Sequence, residues 1–317
     1  MAKVETIDVT TSEGSDKFPQ NTNDKLNLIE TLAVQNIDNL KSYNTIADGA
    51  YEYDVANGKV IEEVVIEMAE AQAFDKTPKF VVKDPVCHPK YFNNYEQKQF
   101  QTTIRKDDLR AVLKEQDAED VATKILDTLS QGEGNYDFVQ TRNVIYNADF
   151  KNYAEILGNT ETPKTPKSMK GVIYVLRDMY NHLKSNNSDL TSFSYISATP
   201  SDSIRIAVSS KLLNLIDVTE LANVFNLSKE ELFGKIVVID TDDLTDHTND
   251  YMAYVYDIKA IGKATRVYDY TQDIYGNARC STHYLTVERA YFHNGLFKGA
   301  KIDCTNACNN ALAELIG

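Results

Sequence analysis

The chain has 317 residues, 42% of them hydrophobic and 25% charged, enough to bury one or two cores. Its 33 basic and 47 acidic side chains leave a formal charge of −14, a surface that repels polyphosphate and disfavours a dedicated nucleic-acid binder. No run of about 18 apolar residues occurs, so no membrane-spanning helix is expected, and the four cysteines are too few for a disulfide-dense scaffold.

Residues 1–24 are polar and acidic, without apolar periodicity, and read as an arm that orders only against something else or, equally compatible with the composition, as a disordered leader. They contain no apolar signal-peptide core, so the expectation is a protein made and kept in the cytosol, or in something assembled there. From Lys25, Leu26, Ile29, Leu32, Ala33, Ile37 and Leu40 fall at helical spacing. Asn23 or Asp24 is the expected cap, and Asp48-Gly49 the stop. Tyr51–Val55 and Lys59–Ala69 flank Asn57-Gly58, the signature of a two-residue hairpin turn. Gln72–Gln97 then runs through Pro78, Pro85 and Pro89 with no period. A loop that long suits an excursion that packs on a neighbouring subunit. Lys98–Ile104 reads as a returning strand.

Asp107–Leu129 carries the strongest helical face, and Gln131-Gly132-Glu133-Gly134 is expected to end it before a shorter helix at Tyr136–Tyr146. Thr160–Lys167 is a Pro- and Thr-rich boundary. A helix is predicted at Ser168–Leu183 and a strand at Ile204–Val208. Capping-box pairs Asp217/Glu220 and Ser228/Glu231 predict helices at Val218–Phe225 and Lys229–Phe233. Strands follow at Ile236–Ile239 and Tyr251–Ile258, then a hairpin of Thr265–Thr271 with Arg279–Phe292, then a weak helix within Lys301–Gly317. The class is α+β, with strands in separated groups and neither a βαβ repeat nor an internal repeat.

The residues offer little chemistry. No Gly-rich phosphate loop is present among the 13 glycines. Cys280, His283, Cys304 and Cys308 could supply four soft ligands, with Cys87-His88 a further pair. Yet a spacing of three on a strand turns Cys280 and His283 to opposite faces, and buried thiols with a structural histidine are the simpler reading. The acidic loop Asp240, Asp242, Asp243, Asp246 and Asp250 lacks the Gly and Glu of a calcium loop, because Tyr251 stands at its twelfth position. It reads as solvated. Ser281 near His283 and His293 has no nucleophile elbow around it. The helices over 218–233 could be taken for a helix-turn-helix, but Glu230 and Glu231 on the second suit no phosphate backbone. No residue is therefore assigned as catalytic, cofactor-binding or metal-ligating, and no cofactor is expected.

Two blocks carry a family likeness. FQTTIRKDDLRAVLKEQDAEDVATKILDTLSQGEGNYDFVQTRNVI, Phe100–Ile145, is similar to the end of the extended loop, the spine helix and the next helix of tailed-phage major capsid proteins with the Hong Kong 97-type fold. SIRIAVSSKLLNLIDVTELANVFNLSKEELFGKIVVID, Ser203–Asp240, resembles that family's axial-domain stretch, and Tyr251–Phe292 its return into the peripheral domain. The branch it most resembles is the short-tailed and small siphophage capsids of Gram-positive hosts.

The resemblance implies an N-arm at 1–24, an N-terminal helix at 25–49 and an extended loop at 50–104 lying across an adjacent subunit. It further implies a peripheral domain with the spine helix at 105–160, an axial domain at 161–265 and a return into the peripheral domain at 266–317. It implies a shell protein of the virion, synthesised in host cytoplasm, that assembles with itself into hexameric and pentameric capsomers around double-stranded DNA without sequence-specific binding. Portal, scaffolding or decoration proteins would be its further partners. The alternative is an encapsulin-like nanocompartment shell of the same fold. Some family members crosslink a loop lysine; Lys76, Lys79 and Lys83 lie in the right region, and no such chemistry is expected.

Overall fold

The computed structural model describes residues 28–29, 31–33, 44, 46–55, 60–69, 86–105, 115–157, 165–193, 195–216, 231–232, 235–240, 250–275 and 280–316. The arm at 1–24, the Asn57-Gly58 turn, Lys76, Lys79 and Lys83, the helix expected at 218–225, and Asp242, Asp243 and Asp246 lie outside them. Residues 28–29 and 31–33 are helical. The named elements then run β1 (Tyr51–Glu52), β2 (Ile61–Ile66), β3 (Cys87–Phe92), β4 (Tyr95–Arg105), α1 (Glu115–Asn147), β5 (Lys151–Asn152), α2 (Tyr153–Leu157), α3 (Met169–Lys184), β6 (Ile204–Val208), α4 (Ser210–Leu215), β7 (Ile236–Val238), β8 (Met252–Asp257), β9 (Ile261–Tyr275), β10 (Cys280–His293), β11 (Gly299–Asp303) and α5 (Thr305–Ile316). Helices mixed with separated groups of strands give the α+β class expected from the sequence.

Several local expectations are corrected. Among the described residues, the two arms around Asn57-Gly58 do not pair with each other. β1 runs parallel to β9, with Tyr51 opposite Gly262, and β2 runs antiparallel to β3, with Ile61 opposite Phe92. The stretch expected to be irregular holds β3 and the start of β4. Pro89 is tolerated there because, among the described residues, β3 pairs with β2 alone and so needs no second ladder. The helix expected to stop at Gly132 and Gly134 continues to Asn147.

That continuation has a physical cause. Each helical glycine costs about 1 kcal/mol relative to alanine. Glu133 and Asp137, one turn apart and on either side of Gly134, are both held by Arg289, with Nη1 2.6 Å and 3.1 Å from their carboxylates. Gly132 meets the Phe100 ring, where an added Cβ would lie 3.3 Å from Cδ1. One guanidinium and one ring bridge the weak point.

The residues divide into two compact units, each assembled from separated segments. The first draws on Met1–Asn44, Tyr95–Phe138 and Thr265–Arg289. Its core sets Ile29 and Ala33 against Ala118, Ala122, Ile125, Leu126 and Leu129 of α1, with Tyr270, Leu285 and Val287 from the strands. The second draws on Thr45–Asn94, Val139–Ala264 and Ala290–Gly317. It holds a five-stranded sheet in the order β5-β11-β8-β6-β7.

α3 covers this sheet because its apolar residues recur at helical spacing and bury Val172, Ile173, Leu176, Met179, Tyr180 and Leu183. The Ser168 hydroxyl accepts from the Gly171 N–H at its start. At its end Lys298, fully buried, donates to the Ser185 and Leu183 carbonyls at 2.8 and 3.4 Å, a cation placed on the negative end of the helix dipole. Burial pulls that ammonium down to about 8.

Gly299 opens β11 with no room for a side chain. A Cβ there would lie 2.1 Å from two atoms of the Phe150 ring. That ring is stacked on Tyr256 and edge-on to His293, so it cannot swing away. Gly299→Ala is expected to destabilise the second unit by about 1–3 kcal/mol through overpacking, read as a lowered denaturant midpoint with an unchanged slope.

Candidate functional site

The feature of the second unit that its own core does not explain is the β2–β3 hairpin, a two-stranded sheet by itself. Side chains alternate across it, so the register sorts them into two faces. Ile61/Phe92, Glu63/Lys90 and Val65/His88 make one face; Glu62/Tyr91, Val64/Pro89 and Ile66/Cys87 make the other.

The first face is anchored. Phe92 stacks on Phe292 with centroids 3.9 Å apart, and Tyr53 packs on Phe292 at 5.3 Å. Gly262 lies beneath both rings, where a Cβ would strike each. The Tyr53 hydroxyl donates to the Lys259 carbonyl at 3.0 Å, and burial raises its pKa. His88 stacks on Tyr195 at 5.3 Å and leans on Phe193 at 5.4 Å, with Nε2 2.8 Å from Glu67 Oε1. Lys90 Nζ donates to the His293 carbonyl at 3.5 Å, and burial lowers the pKa of that ammonium.

The second face is bare. Val64, Ile66 and Tyr91 are exposed, Ile66 at 58% and Tyr91 at 60%. The Tyr91 hydroxyl donates to Glu62 at 3.1 Å, which raises the phenol pKa and fixes the ring across the strand pair. An isolated two-stranded hairpin is marginal in water. This one is held by its aromatic anchors while it presents aliphatic side chains outward, an arrangement suited to association.

The residues weighed for chemistry fall elsewhere. Cys87 is exposed on the bare face and His88 is turned to the anchored one, as neighbours on a strand must be. Cys304 and Cys308 are buried in the second unit's core; burial raises both thiols, Cys308 to about 11. Cys280 and His283 both lie on β10 of the first unit. His283 is fully buried, with Nδ1 2.6 Å from the Tyr270 hydroxyl and Nε2 3.3 Å from Ser281 Oγ. Ser281 has no exposure either, so no substrate reaches the pair.

Asp240 accepts from the Ser210 N–H at the start of α4, and Asp250 is 2.5 Å from Lys211 Nζ. Among the described residues, no group of three or more His, Cys, Asp or Glu is placed to hold a metal. None of the described helices is long and apolar enough to cross a membrane.

Sequence reasoning missed the anchors, because Tyr53, Phe92, Tyr195 and Phe292 come from four separate segments. The readable signal was the alternation in Cys87–Phe92, obscured by Pro89.

Residues 5–300 match the model of a family described as Phi29-like phage major capsid protein. Three solved structures share the fold. The capsid structure of Staphylococcus phage Andhra is 14% identical over 82% of this chain and 84% of that one, with a TM-score of 0.63. A structure of the head fiber and inner core protein of native bacteriophage P68 is 14% identical over 81% and 83%, with a TM-score of 0.55. The head structure of Helicobacter pylori bacteriophage KHP40 is 8% identical over 83% and 90%, with a TM-score of 0.53. No curated protein matches the chain.

Proposed function

The chain belongs to the Phi29-like phage major capsid protein family and is a structural subunit of a capsid shell, and on that premise we propose that the bare face of the β2–β3 hairpin is the surface by which one copy docks on the next. The observation that carries this reading is the division of the hairpin into an anchored face and an exposed aliphatic one. A shell repeats each contact many times, so a modest patch on every copy suffices to close it.

In this reading residues 50–104, with β2 and β3, form the extended loop, residues 1–24 an arm that orders on a neighbour, 25–49 the N-terminal helix, 105–160 and 266–317 the peripheral domain and 161–265 the axial domain of capsomers. The subunit performs no catalytic step. It is made in the host cytoplasm and ends in the virion. The charge of −14 supports enclosure of DNA without adhesion to it. Portal, scaffolding and decoration proteins would meet the assembled shell. A nanocompartment role is disfavoured because the matching family is one of phage capsids.

Val64→Asp combined with Ile66→Asp puts two carboxylates where neighbours would bury them, at a cost of about 2 kcal/mol or more per contact. Both positions are exposed in the single chain, so its melting temperature should stay nearly unchanged. Electron microscopy and sedimentation are expected to show soluble subunits and no closed shells. Shells at normal yield would sink the assignment.

A further inference from the structure

We propose that the anchor of the β2–β3 hairpin is an acid-sensitive latch, in which a proton taken up by His293 releases the inner face of β3. His293 ends β10 with its ring edge-on to Phe150, centroids 5.1 Å apart, and its carbonyl accepts from Lys90 Nζ. The charged groups acting on it come from three places: Lys90 on β3, Lys301 on β11 and Asp149 just before β5. Glu63 lies opposite Lys90 on β2. The Tyr256 phenol, stacked on Phe150, is held neutral by burial.

At neutral pH Lys90, Lys301 and Asp149 act on an uncharged imidazole, and Glu63 lies opposite Lys90. Acid adds a third cation to a partly buried cluster with two carboxylates nearby. Something must leave, and the fold decides what. Lys301 is fixed in β11 between β8 and β5, and His293 ends a 14-residue strand. Lys90 sits on a two-stranded hairpin that can lift without breaking the five-stranded sheet. With Lys90 goes Phe92, and with it the stack on Phe292.

The sign is set by where the proton binds better. Burial first, then Lys90 and Lys301, holds the His293 pKa at about 4 in the anchored state, and departure of Lys90 raises it toward the ordinary 6.5. Protons therefore favour the released form. Complete relief of the shift sets the upper bound, a released-to-anchored ratio about 30-fold higher at pH 5 than at pH 7.5. A lifted hairpin is marginal by itself and exchanges its amides.

The latch stands on the inner face and does not require the outer face to be an interface. The test is hydrogen exchange of the full-length, unassembled chain at pH 7.5 and pH 5, corrected for the intrinsic pH dependence. Protection across 61–66 and 87–92 is expected to fall several-fold, up to a bound of about 30-fold, while 252–257 and 299–303 keep theirs. His293→Asn should abolish the response, Lys90→Gln should shrink it, and His283→Asn, in the other unit, should leave it intact. Joint loss of protection in hairpin and sheet would overturn the latch. So would an unchanged hairpin, or a full response in His293→Asn or, should that variant not fold, in Lys90→Gln.

Discussion

Replacing Arg289 by methionine is expected to destabilise the first unit by about 3–5 kcal/mol, the range for removing one partner of a buried ionic group. The guanidinium is 10% exposed and holds two carboxylates that are themselves almost out of water, Glu133 at 12% and Asp137 at 6%. Its Nε also donates to Thr265 Oγ1 at 2.8 Å. Without it two like charges face each other one helical turn apart, with the Asn44 amide, 2.6 Å from Asp137, as an uncharged donor. The glycines at 132 and 134 lose their bridge, so α1 should also fray at its middle. Adding Glu133→Leu and Asp137→Leu to the methionine variant should recover most of the loss, because no charge is then left buried alone. Urea unfolding of the three proteins checks both claims. A small loss in the single variant would mean that water already reaches the cluster.

Acid is expected to weaken the first unit through His283. Its imidazole is fully buried and lies at about 4 instead of the ordinary 6.5, with desolvation as the cause. A histidine held neutral in the folded state binds its proton better when unfolded. Stability is therefore intact above about pH 6.5, declines as pH falls, and is lower by about 3 kcal/mol once pH is below 4. Melting temperatures between pH 7.5 and 4 measure this slope. His283→Phe keeps the ring against Tyr270 but removes the hydrogen bonds that the imidazole makes with Tyr270 and Ser281. It should melt lower at pH 7.5 and show a flatter profile. An unaltered slope would assign the acid response elsewhere.

Elements whose signals are local were legible in the sequence. α3 follows from its cap at Ser168 and an apolar stripe, and β6, β7 and β8 from short runs of β-branched and aromatic residues. Errors arose where a distant partner decides. Asn57-Gly58 suggested a hairpin between its own flanks, but Tyr51 finds Gly262 and Ile61 finds Phe92, pairings that no local pattern encodes. The glycines of α1 looked like a stop because Arg289, 152 positions beyond Asp137 (289 − 137), was not visible as their brace. α4 and β11 are too short to announce themselves beside stronger neighbours. The family was legible through two long blocks. The exposed face at Val64, Ile66 and Tyr91 was not, because Val65 and Phe92 are equally apolar and only the register says which residues turn outward.

The way each unit is stitched from distant segments constrains how the protein is born. The first unit needs residues up to Arg289 and the second needs β11 and α5. During synthesis the first cannot close until about nine-tenths of these residues have left the ribosome, nor the second until nearly all have, and such high contact order slows folding. Yet the hairpin strands and β4 emerge within the first third of the chain. Their apolar face is exposed in a nascent polypeptide whose anchors, Phe292 and His293, do not yet exist. On a polysome crowded with identical chains, that interval is when chaperones would have most to shield.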